Sequence, residues 1–198
     1  AGDFTGCVSF LGYPVFFKED HIYKVYGSIP SNFEVMGSAT LGVAKGCGGS
    51  LAIAGERLLY LSSSGVMIYS GGIPQSLHDA FGMTRLRGGR AGSDGLKYYL
   101  SAQDEAGDWK LYVYDTRKGM WHIEDKTHAT HFCRYQGNTY FLTAEGEIAL
   151  TSNILDAPEG CTDEDDFTWF AETGDFTEKG SSQSTSYDGV KKSIAKLW

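Results

Sequence analysis

One pattern constrains this chain more than any other: the same hairpin is written four times. Residues 58–70 read LLYLSSSGVMIYS, two apolar arms around a Ser-Ser-Ser-Gly turn. Relatives of it are VFFKEDHIYKVYG from Val15, KYYLSAQDEAGDWKLYVYDT from Lys97 and TYFLTAEGEIALTS from Thr139. Short runs rich in Tyr, Phe, Val and Ile on either side of a polar, glycine-bearing turn are the pattern of antiparallel strand pairs. Aligned on Phe17, Tyr60, Tyr99 and Phe141, the copies are spaced 43, 39 and 42 residues apart. A turn glycine precedes each one (Gly12, Gly55, Gly95 and Gly137), and the second arms end at Tyr26, Tyr69, Tyr114 and Leu150. The distance from anchor to arm end is 9, 9, 15 and 9 residues, the long copy carrying its surplus at the hairpin tip, AQDEAGDW. An exposed turn is where a chain tolerates insertion. Two further markers keep register: GSIP at 27–30 with GGIP at 71–74, and MWHIED at 120–125 with TWFAET at 168–173.

A period near 42 residues that holds strand signals and almost no helical periodicity predicts β-propeller blades, each a four-stranded antiparallel sheet. One such sheet cannot bury both of its faces alone, and stacking sheets around an axis does so. The fold class expected is therefore all-β and propeller-like, with four to five repeats at about 6–45, 46–90, 91–130 and 131–175. Residues 176–198 read as a flexible loop, KGSSQSTSYDG, followed by the strand KKSIAKLW, which either closes the ring or is cut short in a longer propeller. PQSLHDAFG at 74–82 reads as one or two helical turns. GCVSF, GSLAIAG and HFCRY, small and crowded, read as inner strands, with the aromatics of the second and third strands filling the space between blades.

Composition narrows the function. A net charge of −8 and a pI near 5.0 oppose binding to nucleic acid or to an anionic membrane, both of which need a basic face. No run approaches the 18 apolar residues of a membrane span, and AGDFTGCVSF lacks the basic and apolar regions of a signal peptide. Cys7, Cys47, Cys133 and Cys161 show no paired spacing and read as reduced, mostly buried small residues.

Candidate sites are few. In HATHFC a strand would place His131 and Cys133 on one side, a weak metal pair, with His128 on the other. DAPEGCTDEDD at 156–166 gathers six carboxylates without the ladder of a calcium loop and reads as a solvated linker. SAQDEAGDW at 101–109 resembles an inexact Asp-box, a turn that stabilises the fold rather than performing chemistry. RLRGGR places Arg85, Arg87 and Arg90 in one glycine-rich turn. Glu124 and Glu172 recur at equivalent places in the repeat, which suits a structural role better than a glycosidase pair. No G-x-S-x-G, HExxH or P-loop is present, so the chain reads as non-catalytic, with no cofactor. Interaction-surface candidates are Arg85, Arg87, Arg90, Asp104 and Trp109.

Taken together, LLYLSSSGVMIYSGGIPQSLHDAFG and KLYVYDTRKGMWHIED resemble segments of β-propeller structural proteins of tailed bacteriophages and prophages, and WFAETGDF before a Lys-Lys strand is similar to the same pattern. The resemblance runs from Gly46 to Trp198. It implies a module of a longer chain, acting in virion assembly or host attachment and located in a virion assembled in the bacterial cytoplasm. The partners implied are other virion or protein subunits, or a host-surface glycan or protein. Two rival expectations are a carbohydrate-binding or glycosidase-like propeller, stacking sugars on Trp109, Trp121 and Tyr13, and a host protein-interaction propeller.

Overall fold

The computed structural model describes residues 2–77 and 85–151. These lie in a compact unit, Ala1–Leu155; a second unit, Asp156–Trp198, falls outside the described residues. The described chain is all-β, with 3-10 turns only at Pro30–Asn32 and Gly48–Ser50.

Four antiparallel sheets follow one another along the sequence. The first contains β1 (Gly6–Phe10), β2 (Tyr13–Phe17), β3 (His21–Tyr26) and β4 (Glu34–Ala39). The second contains β5 (Ala52–Ala54), β6 (Arg57–Ser62), β7 (Gly65–Tyr69) and β8 (Gln75–Ser76). The third contains β9 (Arg87–Ser93), β10 (Lys97–Gln103), β11 (Trp109–Asp115) and β12 (Met120–Ile123), and the fourth β13 (Ala129–Tyr135), β14 (Asn138–Thr143) and β15 (Ile148–Leu150). In each sheet the strands are hydrogen-bonded in chain order, a simple meander. The four repeated hairpins are β2–β3, β6–β7, β10–β11 and β14–β15.

Local chemistry explains the turns. The first two strands of three sheets are joined by two residues that both have positive φ: Leu11-Gly12, Gly55-Glu56 and Gln136-Gly137. That geometry matches the twist of a tight hairpin and favours glycine at one position or both. The third sheet uses a different device, in which the Asp94 carboxylate accepts the Leu96 and Lys97 amides at 2.8 and 2.7 Å.

The core lies between sheets. β6, β7, β10 and β11 are buried over most of their length on both faces, while the first sheet keeps one face largely exposed and the fourth one face partly so. Phe17 of the first sheet meets Tyr60 of the second with ring centroids 5.2 Å apart. Trp121 of the third sheet donates to the Leu77 carbonyl beyond the second, and Phe132 of the fourth packs on Tyr99, Leu111 and Val113 of the third. Each fully buried Leu, Val or Phe contributes about 1.5–3 kcal/mol. First strands approach closely because glycines leave room: a methyl at Gly92 would stand 2.5 Å from the Phe132 Cβ, and one at Gly6 2.8 Å from Leu51.

Two expectations change, and the hairpin alignment shifts by one residue in two of its copies. The aligned anchors do not share a face: Phe17 and Tyr99 point to the following sheet, Tyr60 and Phe141 to the preceding one. A one-residue slip in a strand reverses its faces, and Phe16 is the true counterpart of Tyr60, since Phe16 pairs with Tyr23 as Tyr60 pairs with Met67. Gln75 and Ser76 of the expected helical turn form β8 against Met67 and Ile68, because β7 still has free backbone groups on that side; residues 78–84 are outside the described set. Of the cysteines, Cys47 is buried but Cys7 and Cys133 are exposed, since each lies on the solvent-facing side of an outer sheet; Cys161 is outside the described residues.

Candidate interaction surface

The distinctive surface feature is one corner of the third sheet, where the long β10–β11 hairpin projects. Its tip is held from within. Asp104 accepts the Asp108 amide at 3.0 Å and forms a 2.7 Å ion pair with Lys110, and the Gln103 side chain donates to the Gly107 carbonyl at 2.6 Å. The hydrogen bond from Lys110, followed by that from the Asp108 amide, holds the Asp104 carboxyl below the usual carboxylate range. The same contact raises the Lys110 ammonium. The inexact Asp-box is therefore a working turn: Asp104 orders the loop, and its carboxylate is occupied in doing so.

Around that tip the fold gathers residues that are far apart in sequence. Arg87 is paired in register with Gln103, and the Arg85 amide donates to the Glu105 carboxylate at 3.2 Å. Trp109 lies over Gly88, where a methyl would come 3.0 Å from its ring, and stacks on His128 at 3.6 Å between centroids and 10° between planes. Arg85 and Arg87 are exposed and Trp109 is half-buried, with one ring face taken by His128. Arg90 belongs elsewhere. It donates to the Gly46 carbonyl at 2.8 Å and packs against Gly49, tying β9 to the loop before the second sheet. Four of the five surface candidates thus converge and the fifth is a structural tie.

The other candidates are placed as follows. His131 and Cys133 are exposed on one side of β13, while His128 sits at the Trp109 corner. Among the described residues no three His, Cys, Asp or Glu side chains come together as a metal site. Glu124 is partnered by His122 at 3.4 Å; Glu172 and the carboxylates of 156–166 are outside the described residues. Trp121 packs between the second and third sheets against Tyr98 and Tyr114, and Tyr13 packs on Tyr26 beneath the Lys24 ammonium, 4.2 Å from its ring. Among the described residues no helix is long and apolar enough to cross a membrane.

Sequence reasoning missed two grooves. One, of about 810 Å³, lies on the outer face of the first sheet along Phe4, Cys7, Phe16, Tyr23 and Val35. The other, of about 490 Å³, runs between the first and second sheets beside Lys24, Tyr26, Met36, Tyr69 and Ile73. The signal for the first was present. Adjacent pairs such as Phe16-Phe17 and Ile22-Tyr23 give a strand two apolar faces, the pattern of a sheet covered on both sides.

What the fold and this corner define, among the described residues, is an all-β unit of four successive antiparallel meanders with an ordered, charged hairpin at one edge. No family model matches the chain, and no curated protein matches it. Among solved structures it is similar to PorZ, a bacterial surface component of the type-IX secretion system of Porphyromonas gingivalis, at 15% identity with a TM-score of 0.40. The match covers 76% of this chain and 27% of PorZ.

Proposed function

We propose that the protein is a non-catalytic interaction module of a phage or prophage particle, its four sheets acting as blades of a β-propeller. The blades would correspond to the repeats at about 6–45, 46–90, 91–130 and 131–175. The reading draws its particle role from the resemblance of LLYLSSSGVMIYSGGIPQSLHDAFG and KLYVYDTRKGMWHIED to virion propeller segments. The observation that carries the interaction role is the third-sheet corner. A hairpin braced by Asp104–Lys110 presents exposed Arg85 and Arg87 beside half-buried Trp109, on a support whose β10 and β11 strands are buried on both faces over most of their length. A rigid support lowers the entropy lost on binding. Two exposed guanidiniums beside an aromatic ring suit an acidic protein surface on another virion subunit or on the host.

The test is where the protein goes. Antibody against the chain is used to probe particles induced from the bacterium that carries the gene and banded on a density gradient. The protein is expected in the particle band, and the Arg85→Glu, Arg87→Glu double variant is expected to be depleted from it while keeping the wild-type circular dichroism. A protein found only in the soluble fraction refutes the particle role; a double variant incorporated like wild type refutes the corner as its contact.

A further inference from the structure

Tyr69 ends β7 with only 4% of its surface exposed, its ring packed on Phe10 at 5.7 Å between centroids. The hydroxyl is not sealed in with the ring. It opens on the groove of about 490 Å³ between the first and second sheets, and among the described residues it has no hydrogen-bond partner. A buried phenol ordinarily finds one. Burial raises the Tyr69 phenol, with Lys24 pulling the other way and Tyr26 adding to the rise, so at neutral pH the group keeps a proton to donate. Lys24 and Tyr26 reach the groove from β3, on the same face as buried Ile22. The half-buried Lys24 ammonium lies 4.2 and 4.9 Å from the Tyr13 and Tyr26 rings and has no carboxylate partner among the described residues. Glu34 is opposite Tyr26 in register but outside the lining, where Lys24 carries the one charge. Ser38 and Thr40 add hydroxyls, and Met36 and Ile73 add exposed apolar surface.

We propose that this groove binds an acidic sugar, a uronate unit whose carboxylate meets Lys24 and whose hydroxyls meet Tyr69 and Tyr26. The carboxylate follows from the ammonium: a half-buried cation without a counter-charge is stabilised most by an anion that reaches it out of bulk water. The sugar follows from the hydroxyls. Tyr26, Tyr69, Ser38 and Thr40 can each donate and accept, as sugar hydroxyls do. An Asp or Glu side chain would answer Lys24 but offers acceptors only, leaving the acceptors of the groove unmatched. Met36 and Ile73 suit the C–H faces of a sugar ring. The volume lies within the roughly 300–1,000 Å³ of small-ligand sites, which are largely formed before binding. The groove is separate from the third-sheet corner and does not depend on the particle role, so its failure leaves both standing.

The experiment is a titration of the full 198-residue chain, followed by ligand-observed nuclear magnetic resonance. The probes are methyl β-glucuronide, its neutral counterpart methyl β-glucoside, sodium acetate and N-acetylglutamate amide. The glucuronide is expected to bind saturably and about tenfold or more tightly than the glucoside. Lys24→Gln is expected to bring the two sugars to within about twofold of each other, and Lys24→Arg to keep the preference. Tyr69→Phe is expected to weaken both sugars about three- to tenfold without changing their ratio, a split that a purely structural tyrosine would not produce. Ser38→Ala, at an exposed place on the same groove, takes its part if Tyr69→Phe lowers the thermal midpoint. No saturable binding of the glucuronide, equal binding of the glucoside, or a preference that survives Lys24→Gln would each overturn the proposal. So would acetate binding as tightly as the glucuronide, or the glutamate amide binding more tightly, which would assign the groove to an acidic peptide.

Discussion

Phe16 and Phe17 are adjacent and chemically identical, yet Phe17 is fully buried against Tyr60 while Phe16 stands at the edge of solvent. The difference is the strand alternation, which sends successive side chains to opposite faces. Polar groups in the core follow the same economy. Tyr98 is buried, its hydroxyl donates to the Ser50 carbonyl at 2.8 Å, and the surrounding desolvation drives its phenol well above the ordinary tyrosine range. Removing that hydroxyl leaves a buried carbonyl short of a donor, at a typical cost of about 1–3 kcal/mol. Tyr98→Phe is therefore expected to lower the urea midpoint without changing the slope of the transition, as measured by equilibrium unfolding. An unchanged midpoint would mean that the hydroxyl contributes nothing to the junction of the second and third sheets.

The β10–β11 hairpin shows how one carboxylate organises an element. The folded state holds Asp104 below its unfolded value, so its contribution to tip order is complete above the ordinary aspartate range, near pH 3.9, and is lost as pH falls through the lower folded value. At neutral pH the tip is expected to be ordered and the Asp108 amide protected. In acid that amide is expected to exchange faster than can be explained by the intrinsic pH dependence of exchange. Asp104→Asn is expected to abolish this extra acid dependence, because no charge is left to titrate, and to loosen the tip at neutral pH. Amide exchange followed by nuclear magnetic resonance measures both, and an Asp104→Asn protein with wild-type acid behaviour would assign the effect to another carboxylate.

Across the described unit, stability is expected to be graded by position in the stack. β6, β7, β10 and β11 have both faces covered, whereas every residue of β4 is exposed and β15 is partly so. Opening a doubly covered strand exposes two apolar faces at once, so its amides should exchange only through the largest unfolding events. Hydrogen exchange read by mass spectrometry is expected to be slowest in peptides from β6, β7, β10 and β11 and fastest in β4 and β15. Uniform protection across all fifteen strands would show instead that the sheets unfold as one block.

Much of this was legible in the sequence because its signals are local. The positive-φ pairs at Leu11-Gly12, Gly55-Glu56 and Gln136-Gly137, the apolar arms of the hairpins and the surplus at the β10–β11 tip depend on residues within a few positions of one another. The sequence by itself therefore determined four hairpins, their spacing and the all-β character of the described residues. Facing and company were decided only by the tertiary structure. Whether Phe16 or Phe17 is the counterpart of Tyr60 turns on a single-residue register that spacing alone does not carry. Arg85 and Arg87 meet Trp109, and Arg90 is instead bound to Gly46, because β9 pairs beside β10 in one register. Cys7 and Cys133 are exposed because their sheets stand at the two ends of the described stack, where burial depends on what packs against a face and not on the residues within it.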